Sequence, residues 1–70
     1  MTDDSKLVAA LFDTKSECRR IEFLYRDGQE QFSLISGCHG DLDYCEALDL
    51  ARAKSWIAQH RDRATVIVDF

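Results

Sequence analysis

The sequence predicts an α+β fold, in which a single small domain packs one main helix on one face of a mostly antiparallel sheet. Two observations carry most of this prediction. Extended, β-prone runs over residues 18–36 flank an Asp27-Gly28 pair, and helical periodicity runs from about Tyr44 to His60. A β-branched run over residues 64–70 then ends the chain as a final strand. The predicted order is β-β-β-α-β, with α-β-β-α-β as the alternative.

The overall composition predicts one folded domain over residues 1–70. Residues 1–5 are polar and are predicted to be frayed. Of the 70 residues, 46% are hydrophobic and 31% are charged, which is typical of a globule and not of a disordered tail. A chain this short builds only a thin core, so a homodimer is one route to stability. The three cysteines are an odd number, which predicts reduced thiols in the cytoplasm instead of a secreted disulfide framework.

The charge balance restricts the class of partner. A net charge of −4 argues against nucleic acid, because contacts with phosphate need a basic surface. It suits a protein partner with a basic functional surface. The acidic start of the chain does not resemble a signal peptide. No apolar run reaches the ~18 residues of a membrane span, so no membrane association is predicted.

Turn chemistry places the strands before the helix. Residues 6–12 fit either a buried strand or two helical turns, and a strand is favoured because residues 13–16 read as a turn. The pair Asp27-Gly28 predicts a two-residue type I′ hairpin turn, which pairs Arg26 with Gln29. In that register, one face of the hairpin carries the cross-strand pairs formed by Phe23, Phe32, Ile21 and Leu34.

The predicted helix begins after Gly37 and Gly40 end the extended run. Asp41 or Asp43 would cap it, and Glu46 would complete a capping box. A rotation of about 100° per residue gives the face that packs on the sheet. This core face consists of Tyr44, Ala47, Leu48, Ala51, Ser55 and Ala58, and Leu50, Lys54 and Ile57 widen it on one side. The opposite stripe consists of Cys45, Asp49, Arg52, Trp56 and His60.

Trp56 therefore lies far from the centre of the predicted core face, and two interpretations follow. The helix rotates slightly and half-buries Trp56 against a neighbouring segment, or Trp56 anchors a protein interface beside Asp49 and Arg52. Trp and Arg are common hot-spot residues in such interfaces. The predicted partner-binding residues are Trp56, Asp49, Arg52, Cys45, His60, Asp41 and Asp43.

No arrangement of side chains predicts catalysis, so the protein is expected not to be an enzyme. The residues Cys18, Cys38, His39 and Cys45 lack the close cysteine pairs of a structural zinc site, and neither a metal nor another cofactor is predicted. Nothing in the spacing supplies the base that a nucleophilic Cys38 needs. The alternative functional class is a nucleic-acid-binding regulatory module that uses Arg19, Arg20, Arg61 and Arg63.

The sequence over residues 32–57 resembles the HicB-type antitoxin domain. The likeness rests on Gly37-Cys38, Gly40-Asp41, Glu46-Ala47-Leu48 and Ala51. The family carries Gly-Cys after its third strand, then a Gly-Asp-Thr turn and a helix that begins with Glu-Ala-Leu. The resemblance implies a partial RNase H-like β-β-β-α-β unit. Residues 42–56 are also similar to the hairpin-helix-strand pattern of small phage inhibitors.

Together these observations favour a small acidic protein-interaction module that binds and inhibits or sequesters one macromolecular partner. Occlusion of a basic functional surface would be its mechanism. A phage or mobile-element inhibitor, such as an anti-CRISPR or anti-host factor, fits the length and charge, and so does an antitoxin.

Overall fold

The computed structural model of the protein describes residues 5–13, 19–38 and 41–68. Its strands are β1 (Lys6–Asp13), β2 (Arg20–Arg26), β3 (Gln31–Cys38), β4 (Asp41–Asp49) and β5 (Thr65–Val66), and its helix is α1 (Leu50–His60). The strands form a five-stranded sheet in the order β4-β3-β2-β1-β5, and every neighbouring pair is antiparallel. The helix packs on this sheet, which confirms the predicted α+β class.

Both ends of the described chain are extended, as predicted. Residues 6–12 belong to β1, so the strand interpretation of this run is confirmed. The final strand is much shorter than the β-branched run suggested, because only Thr65 and Val66 pair with β1. The predicted fraying of residues 1–4, most of the predicted turn over residues 13–16, and the predicted strand residue Phe70 lie outside the described residues. Ser5 was also predicted to be frayed, but its hydroxyl donates a hydrogen bond to Asp27.

The β2–β3 hairpin forms, but its predicted register is wrong. Arg26 pairs with Phe32 instead of Gln29. The backbone amide of Asp27 donates to the carbonyl of Gln31, so the loop over residues 28–30 is longer than the predicted turn. The change moves Phe23 and Ile21 to the face opposite Phe32, because side chains alternate along a strand.

Side-chain hydrogen bonds hold this loop in its observed form. The Arg26 guanidinium donates to the carbonyls of Gly28 and Gln29 at 3.0 and 2.7 Å. The Asp27 carboxylate accepts hydrogen bonds from the hydroxyls of Ser5, at 2.6 Å, and of Ser33. The Asp27 side chain therefore links the loop to Ser5, just before β1, and to Ser33 on β3. It does not occupy the first position of a two-residue turn.

These hydrogen bonds predict a pH-dependent contribution to stability. The Ser33 hydroxyl, followed by that of Ser5, holds the pKa of Asp27 below its ordinary value of 3.8. A lowered folded-state pKa stabilises the fold above the unfolded-state pKa, and this gain is lost as pH falls through the folded-state pKa. We expect Ser33→Ala to cost about 1 kcal/mol near neutral pH, since Asp27 is only partly buried.

Urea unfolding at neutral and acid pH measures this contribution. The gap in unfolding free energy between wild type and Ser33→Ala should narrow once Asp27 is protonated. Ser55→Ala, on an exposed helix position, is the matched control and should show no such change. A gap of constant size at all pH values would contradict the role of the Asp27 charge.

The helix begins later than the periodicity predicted. Residues 41–49 pair with β3, with one register shift beside Asp43, so the predicted caps Asp41 and Asp43 lie in a strand. Asp49 is the N-cap, and its side chain accepts a hydrogen bond from the backbone amide of Arg52 at 2.8 Å. Gly37 lies within β3 and does not end the extended run. The predicted helix end at His60 is confirmed.

The later start rotates the helix relative to the predicted core face. Ala53, Trp56 and Ile57 are its buried residues. They contact one side of the sheet, where the buried core residues are Val8, Ala9, Leu11, Leu24, Phe32, Leu34 and Leu48. The predicted outward stripe is therefore wrong for Trp56, which is only 8% exposed. The structure therefore supports the burial of this residue, as in the first interpretation, but Trp56 lies almost fully buried in the hydrophobic core, where only half-burial was predicted.

Candidate functional site

Strand β4 forms one edge of the sheet and carries most of the predicted partner-binding residues. Among the described residues, β4 pairs only with β3, so its outer main-chain groups face away from the sheet. Its sequence DLDYCEALD contains four carboxylates and neither Lys nor Arg. Asp41, Asp43, Cys45 and Asp49 are all exposed on it. This edge of the molecule is therefore strongly acidic.

The remaining predicted site residues lie on α1, which packs beside β4. Arg52 is exposed in the first turn of the helix, directly after the Asp49 cap. His60 Nδ1 lies 2.7 Å from the Trp56 carbonyl oxygen, and the two rings lie 4.7 Å apart between centroids. A groove of about 240 Å³ separates α1 from β3 and β4, and Leu34, Glu46, Leu48, Arg52, Ser55, Trp56 and Gln59 line it.

The structure thus brings the predicted residues together with one important exception. The acidic residues, Arg52 and the groove lie along the β4 edge and the adjoining helix. Trp56 lines the floor of the groove but belongs to the hydrophobic core, so it is not an exposed anchor. The sequence did not predict that the acidic residues would group on a strand. Asp41 and Asp43 were expected to cap the helix, and Asp49 was expected to lie on its outward stripe.

The cysteines differ from the expectation of uniformly reduced thiols. Cys38, at the end of β3, is disulfide-bonded, so that expectation is wrong for this residue. Cys45 is free and exposed on β4. The predictions that involve Cys18 and His39 lie outside the described residues. Within residues 5–13, 19–38 and 41–68, no group of three His, Cys, Asp or Glu side chains is arranged to hold a metal ion.

A second surface was missed by sequence reasoning. It is the side of the sheet opposite α1, here called the open face. On β1 and β2 it carries the large side chains of Leu7, Phe12, Ile21, Phe23 and Tyr25. On β3 and β4 its centre carries the smaller side chains of Ser33, Ile35, Cys45 and Ala47, and Asp43 and Asp49 lie on the same side of the edge strand β4.

The open face differs in burial from the face under the helix. The nine residues named at its centre are half-buried or exposed, whereas the small Ala10 between them is buried, and no described element packs over this face. Phe12 is 58% exposed, and its ring meets that of Phe23 edge-on at 5.6 Å between centroids. The alternation of Ile21, Phe23 and Tyr25 was a usable signal, but the wrong hairpin register assigned it to the core.

The arginines proposed for nucleic-acid binding are divided between two places in the chain. Arg19 and Arg20 lie at the start of β2, and Arg61 and Arg63 lie in the turn after α1. The Arg20 Nε lies 3.4 Å from a carboxylate oxygen of Glu22, a side chain that is largely buried on the helix side of the sheet. Part of this basic charge is therefore balanced within the fold.

Comparison with known proteins adds no assignment. No protein-family profile matches the chain, and neither the curated proteins nor the solved structures contain a match. In the part of the chain that the structure describes, no helix has both the length and the apolar character needed to cross a membrane.

Proposed function

We propose that the protein is a protein-interaction module that uses its β4 edge to bind, and thereby inhibit or sequester, a partner with a basic surface. One observation carries the proposal. An exposed edge strand offers unpaired main-chain groups, and every charged side chain of β4 is a carboxylate. Extended segments commonly dock by adding a strand to such an edge, with side chains providing the selectivity.

Charge favours a basic segment over a second copy of the chain at this edge. Two β4 strands paired with each other would place carboxylates close together, and like charges opposite one another destabilise a sheet. A segment rich in Lys or Arg would instead place cations beside Asp41 and Asp43. The net charge of −4 would also attract a basic partner over longer distances.

The biological class of the inhibitor follows from the identity of that partner. A host enzyme would favour a phage or mobile-element inhibitor, such as an anti-CRISPR or anti-host factor. A toxin encoded beside the protein would favour an antitoxin, in line with the HicB-type resemblance. The Glu46-Ala47-Leu48 segment on which that resemblance partly rests lies in β4 and not at a helix start.

Affinity capture from the native host, followed by measurement with the purified partner, tests the proposal. We expect Asp41→Asn/Asp43→Asn to weaken binding about tenfold or more, chiefly through slower association, because two rim carboxylates are lost. The remaining binding should weaken further as salt is raised. Asp49 is left unchanged because it caps α1.

The matched control is Glu30→Gln/Asp62→Asn, which removes the same charge from exposed positions away from β4. This control should bind almost as tightly as wild type. Equal losses in both double variants would show that only net charge matters and would contradict a site on β4. Salt-sensitive binding of single-stranded DNA by the purified protein would instead favour the nucleic-acid alternative.

A further inference from the structure

We infer that the open face is the interface of a homodimer, in which a second copy of the chain packs its own open face against the first. This inference goes beyond the proposed function, because it concerns the face of the sheet that lies away from α1. The proposed function concerns the β4 edge. It rests on three properties of the face, which are its chemistry, its shape and its size.

The centre of the open face is apolar and uncharged. None of the nine residues there carries a charge, although 31% of the whole chain is charged, and the carboxylates of this face, Asp43 and Asp49, lie on the edge strand β4. It holds an aromatic pair, Phe12 and Phe23, and a third ring on Tyr25. Contiguous apolar surface of this kind on a small domain marks an interaction site, since burial is worth about 25 cal/mol per Å².

The shape of the open face suits a copy of itself. Its β1–β2 half is built from large side chains and its β3–β4 half from smaller ones. A two-fold axis that runs parallel to the strands, between β2 and β3, places the large half of each copy against the small half of the other. Phe23 of one copy then faces Ile35 of the second, and Tyr25 faces Ser33.

The size of the face is sufficient for a stable dimer. Five strands at a spacing of about 4.8 Å span roughly 20 to 24 Å, which agrees with the 24 Å extent of the molecule. The broad face of the molecule extends over 35 × 24 Å. An interface of standard size buries about 800 Å² on each partner, so most of this face would be covered.

Charge selects a second copy over the basic partner at this face. A basic surface would meet carboxylates only along β4, at Asp43 and Asp49, and cations over the centre of the face would lose water without compensation. A second copy brings only apolar and small polar groups to the centre of the interface and leaves these carboxylates at its rim. Because each chain carries −4, the dimer should tighten as salt is raised.

Sedimentation velocity of the full chain from about 1 to 200 µM tests the inference. We expect wild type to pass from monomer to dimer in this range, and Phe12→Glu to remain monomeric. Cys45→Glu places a charge on the opposite half of the face from an exposed position and should have the same effect. Circular dichroism tests whether each variant is folded. At least one of the two variants should fold, because both residues are exposed in the wild type.

Ala58→Glu is the matched control. Ala58 is exposed on α1, which packs on the side of the sheet opposite the open face. This variant should dimerise as wild type does. A wild-type monomer over the whole concentration range would overturn the inference, as would equal dimerisation of folded Phe12→Glu. The two proposals predict opposite effects of salt, since dimerisation should tighten and partner binding at the β4 edge should weaken as salt is raised. Failure of the dimer proposal can therefore be distinguished from failure of the proposed function.

Discussion

Replacing Trp56 with alanine is expected to remove a large part of the free energy of unfolding at 25 °C. Trp56 is the only tryptophan in the chain and lies in the core that α1 forms with the sheet. Truncation of a buried Trp costs about 3–5 kcal/mol. A domain of this length has a total stability of about 3.5–10 kcal/mol, so one truncation removes much or all of it.

Chemical denaturation followed by circular dichroism measures the loss. Trp56→Phe keeps an aromatic ring in the cluster and should cost clearly less than Trp56→Ala. Lys54→Ala changes an exposed position on the same helix and should stay within about 0.5 kcal/mol of wild type. A Trp56→Ala variant that unfolds at the wild-type midpoint but loses its partner would restore the view of Trp56 as a surface anchor.

Replacing Gly37 with alanine is expected to break the pairing of β3 with β4 near the Cys38–Asp41 connection. A Cβ atom at position 37 would overlap the Asp41 carbonyl oxygen and lie 2.9 Å from the Leu42 Cα. Both are backbone atoms, so no side chain can move away to make room. The register also shifts here, between Ser36 and Gly37, which brings the two strands unusually close.

We expect Gly37→Ala to cost about 3 kcal/mol or more, at the upper end of overpacking effects. For a domain of this size, that loss lowers the melting temperature by roughly 12 °C or more. Amide hydrogen exchange should show lost protection in β4 before the rest of the sheet. This change would also weaken binding of a partner at the β4 edge, because the edge would no longer be held in register.

Gly28→Ala is the matched control for Gly37→Ala. A Cβ atom at position 28 would meet only the Gln31 side chain, at 3.7 Å, and the backbone there is not left-handed. Its stability should stay within about 0.5 kcal/mol of wild type, with a small gain if the unfolded chain loses freedom. Equal destabilisation by the two substitutions would contradict the close approach of β4 to Gly37.

The two errors in the predicted architecture have the same physical origin. The segment over residues 44–49 has helical periodicity, but pairing with β3 overrides that local preference. The Asp27-Gly28 pair favours a two-residue turn, but Asp27 is held by Ser5, which lies 22 positions away in the chain. Local patterns could not reveal either long-range contact.

Errors of one or a few residues have large consequences for surfaces. A shift in hairpin register exchanges the two faces of a strand, so Phe23 moves from the predicted core to the open face. A later helix start changes which residues point at the sheet, so Trp56 moves from the predicted surface to the core. The acidic residues of β4 stayed at the surface in both descriptions, because carboxylates are costly to bury in any fold.

The sequence by itself determined the α+β class, the presence of a hairpin around residues 27 and 28, the end of the helix at His60, and the acidic character of the molecule. Those features depend on composition and on local periodicity. Only the tertiary structure decided the strand register, the start of α1, the buried position of Trp56 and the existence of the open face. The reason is geometric: strands alternate with every residue and helices turn by about 100° per residue, so the orientation of each side chain depends on contacts that are distant in sequence.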